Sequence, residues 1–140
     1  MQFVGTYSHS IDSKNRVFIP SKFREELGGE FYITRKADPY LSIYTAREWE
    51  EFVKKIESLP ESVAAPLQDF LIGGAQKCTP DGNGRIVLEN RLIKHAEITK
   101  NIVFVGTGNQ IRIWSEEKWI EREATLNPEN MREIMRQFGL

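Results

Sequence analysis

The sequence predicts an α+β fold in which two tandem copies of a small module share one core and amphipathic helices flank them. Three observations lead to this fold. The stretch D-S-K-N-R-V-F-I-P at residues 12–20 recurs as D-G-N-G-R-I-V-L-E at residues 81–89. Short runs of β-branched and aromatic residues are separated by turns rich in glycine and proline. Apolar residues at helical spacing follow each copy.

The internal repeat extends beyond these two stretches. A shift of 69 positions places Asp12 on Asp81 and Arg16 on Arg85, and one more residue of offset places Trp49 on Trp119. Repetition on this scale sets the architecture. Each copy is about 45 residues long, too short to bury enough apolar surface alone, so we expect the copies to interlock around one core. The predicted division is module one at residues 6–48, a helical connector at 49–74, module two at 75–118 and a C-terminal helical tail at 119–140.

The elements of the first copy are predicted as three strands and two helices. The strands are Val17–Ile19, Phe31–Thr34 and Leu41–Tyr44. Ser21 is placed as the N-cap of a short helix that Gly28 and Gly29 end. Thr45 and Glu48 form a capping box at the start of a longer helix. The apolar stripe of that helix consists of Trp49, Phe52, Val53 and Ile56.

The second copy repeats this order. Its predicted strands are Ile86–Leu88, Ile102–Val105 and Ile111–Trp114, with a short helix around Leu92 between the first two. Ser115 is placed as the N-cap of a helix carrying Trp119, which the apolar spacing assigns, like Trp49, to the core. Amphipathic helices are also predicted between the copies, around Leu67, and in the tail. The tail helix starts at Asn127-Pro128 and carries Met131, Ile134, Met135 and Phe138.

The charge distribution is more informative than the net charge of −1, which by itself argues against a nucleic-acid partner. Residues 12–24 contain four basic residues and one acid, and residues 77–94 contain four basic residues and two acids. Residues 47–61 contain five glutamates and three basic residues. Positive charge therefore coincides with the repeated stretch, and local potential decides where a polyanion binds.

The repeated D-x-x-x-R stretch has two interpretations. As a folding device, Asp12 or Asp81 accepts hydrogen bonds from backbone N–H groups of a tight turn, and Asn15 or Gly84 adopts its left-handed conformation. As a binding device, the aspartate also orients the arginine. An oriented guanidinium suits bidentate contact with phosphate or guanine. The residues of this binding interpretation are Arg16 and Arg85, with Lys14 and Lys22 as flanking phosphate contacts.

The chain resembles the MraZ family of bacterial proteins. The residues that carry this resemblance are GTYSHSIDSKNRVFIPSKFREEL with a following Y-x-x-x-E-W, then GAQKCTPDGNGRIVLENRL with a following I-W-x-x-x-x-W. They extend from Gly5 to about Glu121. The resemblance implies two tandem AbrB-like, swapped-hairpin modules and a DNA-binding transcriptional regulator of the division and cell-wall gene cluster. It further implies a ring of identical subunits that binds tandem short G-rich repeats and associates with the nucleoid.

The resemblance places DNA contacts on Lys14, Asn15, Arg16 and Arg85, with Lys22 and Asn83 matching by position only. The second copy departs from the family pattern, since Leu88-Glu89 replaces Ile-Pro and Ile93 stands opposite Arg24. Whether both loops contact DNA is therefore left open. Double-stranded DNA and further copies of the chain are the expected partners, and no small-molecule substrate, cofactor or metal is expected. A reducing cytoplasm fits the single cysteine and the absence of a secretory signal at the N-terminus or of a membrane-length apolar run.

Two alternatives compete with DNA binding. In the first, the chain is a ring-forming scaffold, and Arg16 of one subunit pairs with Glu48, Glu50 or Glu51 of the next. In the second, the chain is an enzyme that uses Cys78 with His9 or His95 as a nucleophile–base pair. Known nucleotide, hydrolase and metalloprotease motifs are missing from the sequence. A buried structural cysteine is the expected role of Cys78.

Overall fold

The computed structural model describes residues 2–140. It contains eight strands: β1 Phe3–Ser10, β2 Arg16–Phe18, β3 Phe31–Arg35, β4 Leu41–Thr45, β5 Gln76–Cys78, β6 Arg85–Val87, β7 Asn101–Gly108 and β8 Ile111–Ser115. It contains six α-helices: α1 Ser21–Leu27, α2 Ala46–Glu57, α3 Glu61–Leu67, α4 Asn90–His95, α5 Glu116–Glu123 and α6 Pro128–Gln137. A π-helical turn, Gln68–Ile72, continues α3. Among the described residues, no helix is long and apolar enough to cross a membrane.

The strands form one large antiparallel sheet and one small ribbon. The large sheet has the order β1-β7-β8-β4-β3-β5, and the ribbon consists of β2 and β6. Strand β1 from the first copy pairs with β7 from the second, while β5 from the second copy pairs with β3 from the first. The two copies therefore exchange strands. This confirms the predicted α+β fold with tandem modules that share a core, whereas the residue bounds assigned to the modules stay a prediction.

One apolar core lies between the large sheet, the ribbon and the short helices α1 and α4. Its largest fully buried members come from both copies: Ile19, Phe23, Phe31, Ile33, Leu41, Ile43, Leu88, Leu92, Ile102, Phe104, Ile111 and Ile113. Phe23 of α1 packs edge-on against Phe3 and Tyr7 of β1, with ring centroids 5.6 and 5.2 Å apart. Because the core draws on both copies, neither copy completes it alone.

The opposite face of the large sheet is partly covered by α2. Trp49 of this helix stacks on Tyr32 of β3 with centroids 4.9 Å apart, and Phe52 stacks on Tyr44 of β4 at 4.7 Å. The N-cap of α2 agrees with the sequence, since the Thr45 side chain accepts a hydrogen bond from the backbone N–H of Glu48 at 3.1 Å. Trp49 is buried, as predicted.

Two detailed predictions were wrong. Ser21 does not cap α1: it is the first helical residue, Pro20 occupies the N-cap position, and no side chain caps this helix. Trp119 is not a core residue. It is half-buried on α5, which packs on β7 and β8, and its ring lies beside that of Trp114 with centroids 5.9 Å apart.

Strands β1 and β5 were missed in the sequence. The sequence of β1, F-V-G-T-Y-S-H-S, contains one glycine and two serines and lacks a β-branched run. β5 has only three residues, of which one is apolar, Cys78. Both strands form because their backbone groups complete the hairpin of the other copy, an interaction that local propensity does not encode.

Candidate nucleic-acid interface

The two D-x-x-x-R loops have the same internal geometry. In the first, Asp12 Oδ1 accepts hydrogen bonds from the backbone N–H groups of Lys14 and Arg16 at 2.9 and 2.8 Å. In the second, Asp81 Oδ1 accepts the equivalent bonds from Asn83 and Arg85, both at 2.9 Å. The other carboxylate oxygen of each aspartate accepts from the arginine Nε, at 2.6 Å in the first loop and 2.9 Å in the second. The predicted Asp–Arg pairing across each turn is confirmed.

Each turn depends on a residue with a left-handed backbone. Asn15 has a φ of 61° and Gly84 a φ of 79°, a conformation that asparagine and glycine tolerate better than other residues. The carbonyl oxygens of these two residues bind the other copy: Leu88 N–H donates to Asn15 at 2.8 Å, and Ile19 N–H donates to Gly84 at 3.0 Å. Each loop is thereby bonded to the residue that directly follows the ribbon strand of the other copy.

The aspartates remain ionised at neutral pH. Hydrogen bonds lower the pKa of Asp12, with the backbone N–H of Arg16 as the largest cause, and they lower the pKa of Asp81 in the same way through Arg85. In the side chain of each arginine, only Nε donates a hydrogen bond within residues 2–140. The aspartate therefore fixes the plane of each guanidinium and leaves its two terminal nitrogens available for a ligand.

The ribbon brings both arginines onto one face. In the register of β2 and β6, Arg16 lies opposite Val87 and Phe18 lies opposite Arg85. Val17 and the matching Ile86 point into the core. Side chains alternate along a strand, so the residues on either side of Val17 and Ile86 point the opposite way. Arg16, Phe18, Arg85 and Val87 therefore share the outer face of the ribbon. We call the outer face formed by Arg16, Phe18, Arg85 and Val87 the ribbon face.

Sequence reasoning missed the apolar half of the ribbon face. Phe18 and Val87 are 45% and 57% exposed, although both belong to short apolar strand sequences. The Arg85 guanidinium carbon lies 5.8 Å from the centroid of the Phe18 ring. Alternation along β2 and β6 was the available signal, since a strand that buries its central residue must expose the two flanking ones.

The other predicted site residues differ in their surroundings. Lys14 and Asn83 are exposed at the tips of the two loops, and Lys22 is exposed on α1, beside the first loop in sequence. Asn15 is half-buried, and its side-chain amide donates to Asn90 Oδ1 of α4 at 2.9 Å. The structure thus brings the two loops together at one ribbon. It also gives Asn15 a role in joining the copies.

Arg24, the residue opposite Ile93 in the repeat, is structurally engaged. Its Nε donates to the Ile19 carbonyl oxygen at 2.8 Å, and its guanidinium lies directly against Gly84. Arg24 therefore supports the second loop from the first copy. This contact explains why Gly84, and not a second asparagine, stands at the left-handed position.

The enzyme alternative receives no support from Cys78. The thiol is buried, and burial raises the pKa of Cys78 to about 12, so the nucleophilic thiolate is scarce at neutral pH. Its contact is a weak one to the Gln76 carbonyl at 3.8 Å, and within the described chain neither His9 nor His95 hydrogen-bonds to it. In the same residues, no group of three or more histidine, cysteine or acidic side chains is placed to hold a metal ion.

Comparison with known proteins identifies the family. The family model described as "MraZ protein, putative antitoxin-like" matches residues 2–69 and again residues 71–137. The chain belongs to the MraZ family. The double match agrees with the internal repeat. The resemblance that the sequence motifs indicated is thereby confirmed.

Individual MraZ proteins match along the full length. A protein of Lachnoclostridium phytofermentans named transcriptional regulator MraZ is 41% identical over 139 residues, which covers 99% of this chain and 98% of its own. Another of that name, from Clostridium tetani, is also 41% identical, over 141 residues and 99% of each chain. One from Alkaliphilus metalliredigens is 36% identical over 142 residues.

Proposed function

We propose that this chain is a sequence-specific DNA-binding transcriptional regulator and that the ribbon face is its DNA contact. The observation that carries this proposal is the pair of matched loops. Each holds one arginine by Nε and leaves the terminal nitrogens free, and both arginines lie on the same exposed ribbon. The names of the MraZ relatives agree with a role in transcription.

The ribbon face suits the major groove of DNA. That groove admits a two-stranded β-ribbon, and a guanidinium with two free nitrogens forms bidentate hydrogen bonds to guanine O6 and N7. Arg16 and Arg85 supply two such groups, so a G-rich site is the natural match. Phe18 and Val87 supply apolar contacts of the type that bind thymine methyl groups. Lys14, Lys22 and Asn83 are assigned to the DNA backbone, where contacts set the register.

We further propose that the functional unit is a ring of identical subunits on tandem short G-rich repeats in the division and cell-wall gene cluster. One subunit presents few cations, and Asp12 and Asp81 offset part of this charge. Affinity at physiological salt rises with the number of phosphates neutralised, and linked sites gain affinity through effective concentration. Repeated ribbon faces on a ring would match repeated DNA boxes and associate the protein with the nucleoid.

The test is DNA binding by Arg16→Ala and Arg85→Ala, measured by fluorescence anisotropy on a duplex with several tandem G-rich boxes. Each substitution should weaken binding about tenfold or more, because one bidentate base contact contributes about 1–3 kcal/mol. Discrimination against duplexes with substituted guanines should fall in parallel. Arg47→Ala is the matched control, since it removes one exposed arginine on α2, which packs on β3, β4 and α3, and should leave binding unchanged.

Assembly mass measured on the same samples separates the proposal from the scaffold alternative. Unchanged mass with lost DNA binding supports the ribbon face as a DNA contact. Lost mass would instead indicate that Arg16 or Arg85 joins subunits. If both variants bind DNA as tightly as wild type, the ribbon face is not the contact.

A further inference from the structure

Helix α6 has a well-defined start set by residues next to it in the sequence, but its apolar side packs against no other element of the described chain. Asn127 caps it by accepting a hydrogen bond from the backbone N–H of Asn130 at 2.8 Å, and Pro128 occupies the first turn. Its apolar stripe nevertheless faces solvent, with Ile134 52%, Met135 46% and Phe138 70% exposed. A ten-residue helix is marginal in water by itself, and its stability normally comes from burying such a stripe.

The stripe is bordered by positive charge. Arg132 and Arg136 lie next to Met135 and Leu140 in a shallow open depression along α6. Arg136 is paired with Glu133 at 3.0 Å, but both side chains of that pair are largely exposed, so the pair contributes little and can exchange partners. In the described chain, Arg132 has no ion pair. A partner for this side of α6 should therefore offer an apolar surface between acidic groups.

Helix α2 offers a surface with these properties. A groove of about 540 Å³ runs along it, lined by Tyr32, Ala46, Trp49, Glu50, Val53, Lys54 and Glu57. Glu50, Val53 and Glu57 are spaced by three and four residues, so they follow one helix face with the half-buried valine between the acids. Glu50 is paired only with Lys54, at 3.6 Å between exposed side chains, and Glu57 has no ion pair within residues 2–140.

We propose that α6 of one subunit docks into the α2 groove of a second copy of the chain. Met135 packs near Val53, and Arg132 and Arg136 face the acids Glu50 and Glu57. This inference rests on the self-association already proposed and assigns the contact surfaces. Docking of an amphipathic helix in a groove is a common mode of recognition.

A contact between α6 and α2 is compatible with a ring. The donated surface, on α6, and the accepting surface, on α2, are different parts of the chain. Such a contact can repeat from one subunit to the next, and repeated heterologous contacts close into a ring or continue as a filament, whereas reciprocal exchange of α6 would give a twofold dimer. Each subunit would donate one helix and accept one. DNA is a poor occupant of the α6 stripe, because the helix also carries Glu129 and Glu133 and exposes apolar groups.

The test is charge reversal with rescue, read as molar mass by light scattering without DNA. One variant carries Glu50→Arg and Glu57→Arg, and another carries Arg132→Glu and Arg136→Glu. Each should raise the concentration at which the assembly dissociates about tenfold or more, because like charges face each other at the contact. A variant with all four substitutions should regain the wild-type mass. An equimolar mixture of the two double variants should regain it as well, which shows that the contact joins different chains.

The control carries Glu25→Arg and Glu51→Arg, which reverse two exposed acids outside the groove and change the net charge by the same amount as Glu50→Arg with Glu57→Arg. It should keep the wild-type mass. The proposal is overturned if the double variants keep their mass or if neither the fourfold variant nor the mixture recovers it. A monomeric wild type would end the self-association proposal too. The ribbon face is tested separately, by binding to a duplex with one box.

Discussion

At the scale of single residues, the two loops show how one geometry is reached with different side chains. Both turns need a left-handed residue, which is Asn15 in the first loop and Gly84 in the second. Asparagine is tolerated in the first turn, and its amide bonds to Asn90. Glycine is required in the second turn, because a Cβ there would lie 2.4 Å from the guanidinium carbon of Arg24.

We predict that Gly84→Ala destabilises the protein by about 1–3 kcal/mol, because it adds left-handed backbone strain to a clash with Arg24. Arg24 cannot move away without losing its hydrogen bond to the Ile19 carbonyl. Gly82→Ala, in the same loop, is the matched control, since a Cβ there meets no atom within 4 Å. Urea unfolding measures both free energies. Equal stability of the two variants would contradict the role assigned to Gly84.

At the level of secondary-structure elements, the sequence predicts the start of a helix correctly where a side chain accepts a hydrogen bond from a backbone N–H group of the first turn. Thr45, Ser115 and Asn127 each accept the expected backbone hydrogen bond, at 3.1, 3.1 and 2.8 Å. Ser21 shows the limit of this signal. Pro20 before it already has the extended backbone of an N-cap, with a ψ of 130°, so helix α1 begins at Ser21 without a side-chain cap.

We therefore predict different effects for two similar substitutions. Thr45→Ala should lower the free energy of unfolding by about 0.5–2 kcal/mol, the usual contribution of an N-cap hydrogen bond. Ser21→Ala should change it by less than about 0.5 kcal/mol, as expected for an exposed residue without such a bond. Both values come from denaturant titrations followed by circular dichroism. A loss at Ser21 as large as that at Thr45 would show that its hydroxyl does stabilise α1.

At the scale of the whole molecule, exchanged strands couple the two copies. β1 completes the hairpin of the second copy, β5 completes that of the first, and β2 pairs with β6. The core side chains between them also come from both copies. Separate unfolding of either copy would expose the core of the other, so the chain should behave as one cooperative unit.

We predict a single unfolding transition, with the same midpoint whether the fluorescent reporter lies in the first copy or in the second. Trp49→Phe leaves Trp114 and Trp119 as reporters of the second copy. The double variant Trp114→Phe, Trp119→Phe leaves Trp49 as a reporter of the first. In each variant the fluorescence midpoint should coincide with the midpoint from far-ultraviolet circular dichroism, because coincident probes are expected of a two-state transition. Separated midpoints in either variant would indicate that the copies unfold independently.

Sequence patterns were enough to predict the duplication, the strands and helices with strong local signals, and the tight turns that pair Asp12 with Arg16 and Asp81 with Arg85. The turns and helix starts depend on neighbours within a few residues, and the duplication is visible when the sequence is aligned with itself, so neither needs tertiary contacts to be predicted. The pairing of β1 with β7 became visible in the folded chain, as did the position of both arginines on one ribbon with Phe18 and Val87. The fold also buries Trp114 more completely than Trp119. These outcomes depend on contacts between residues distant in the chain, which local patterns do not encode.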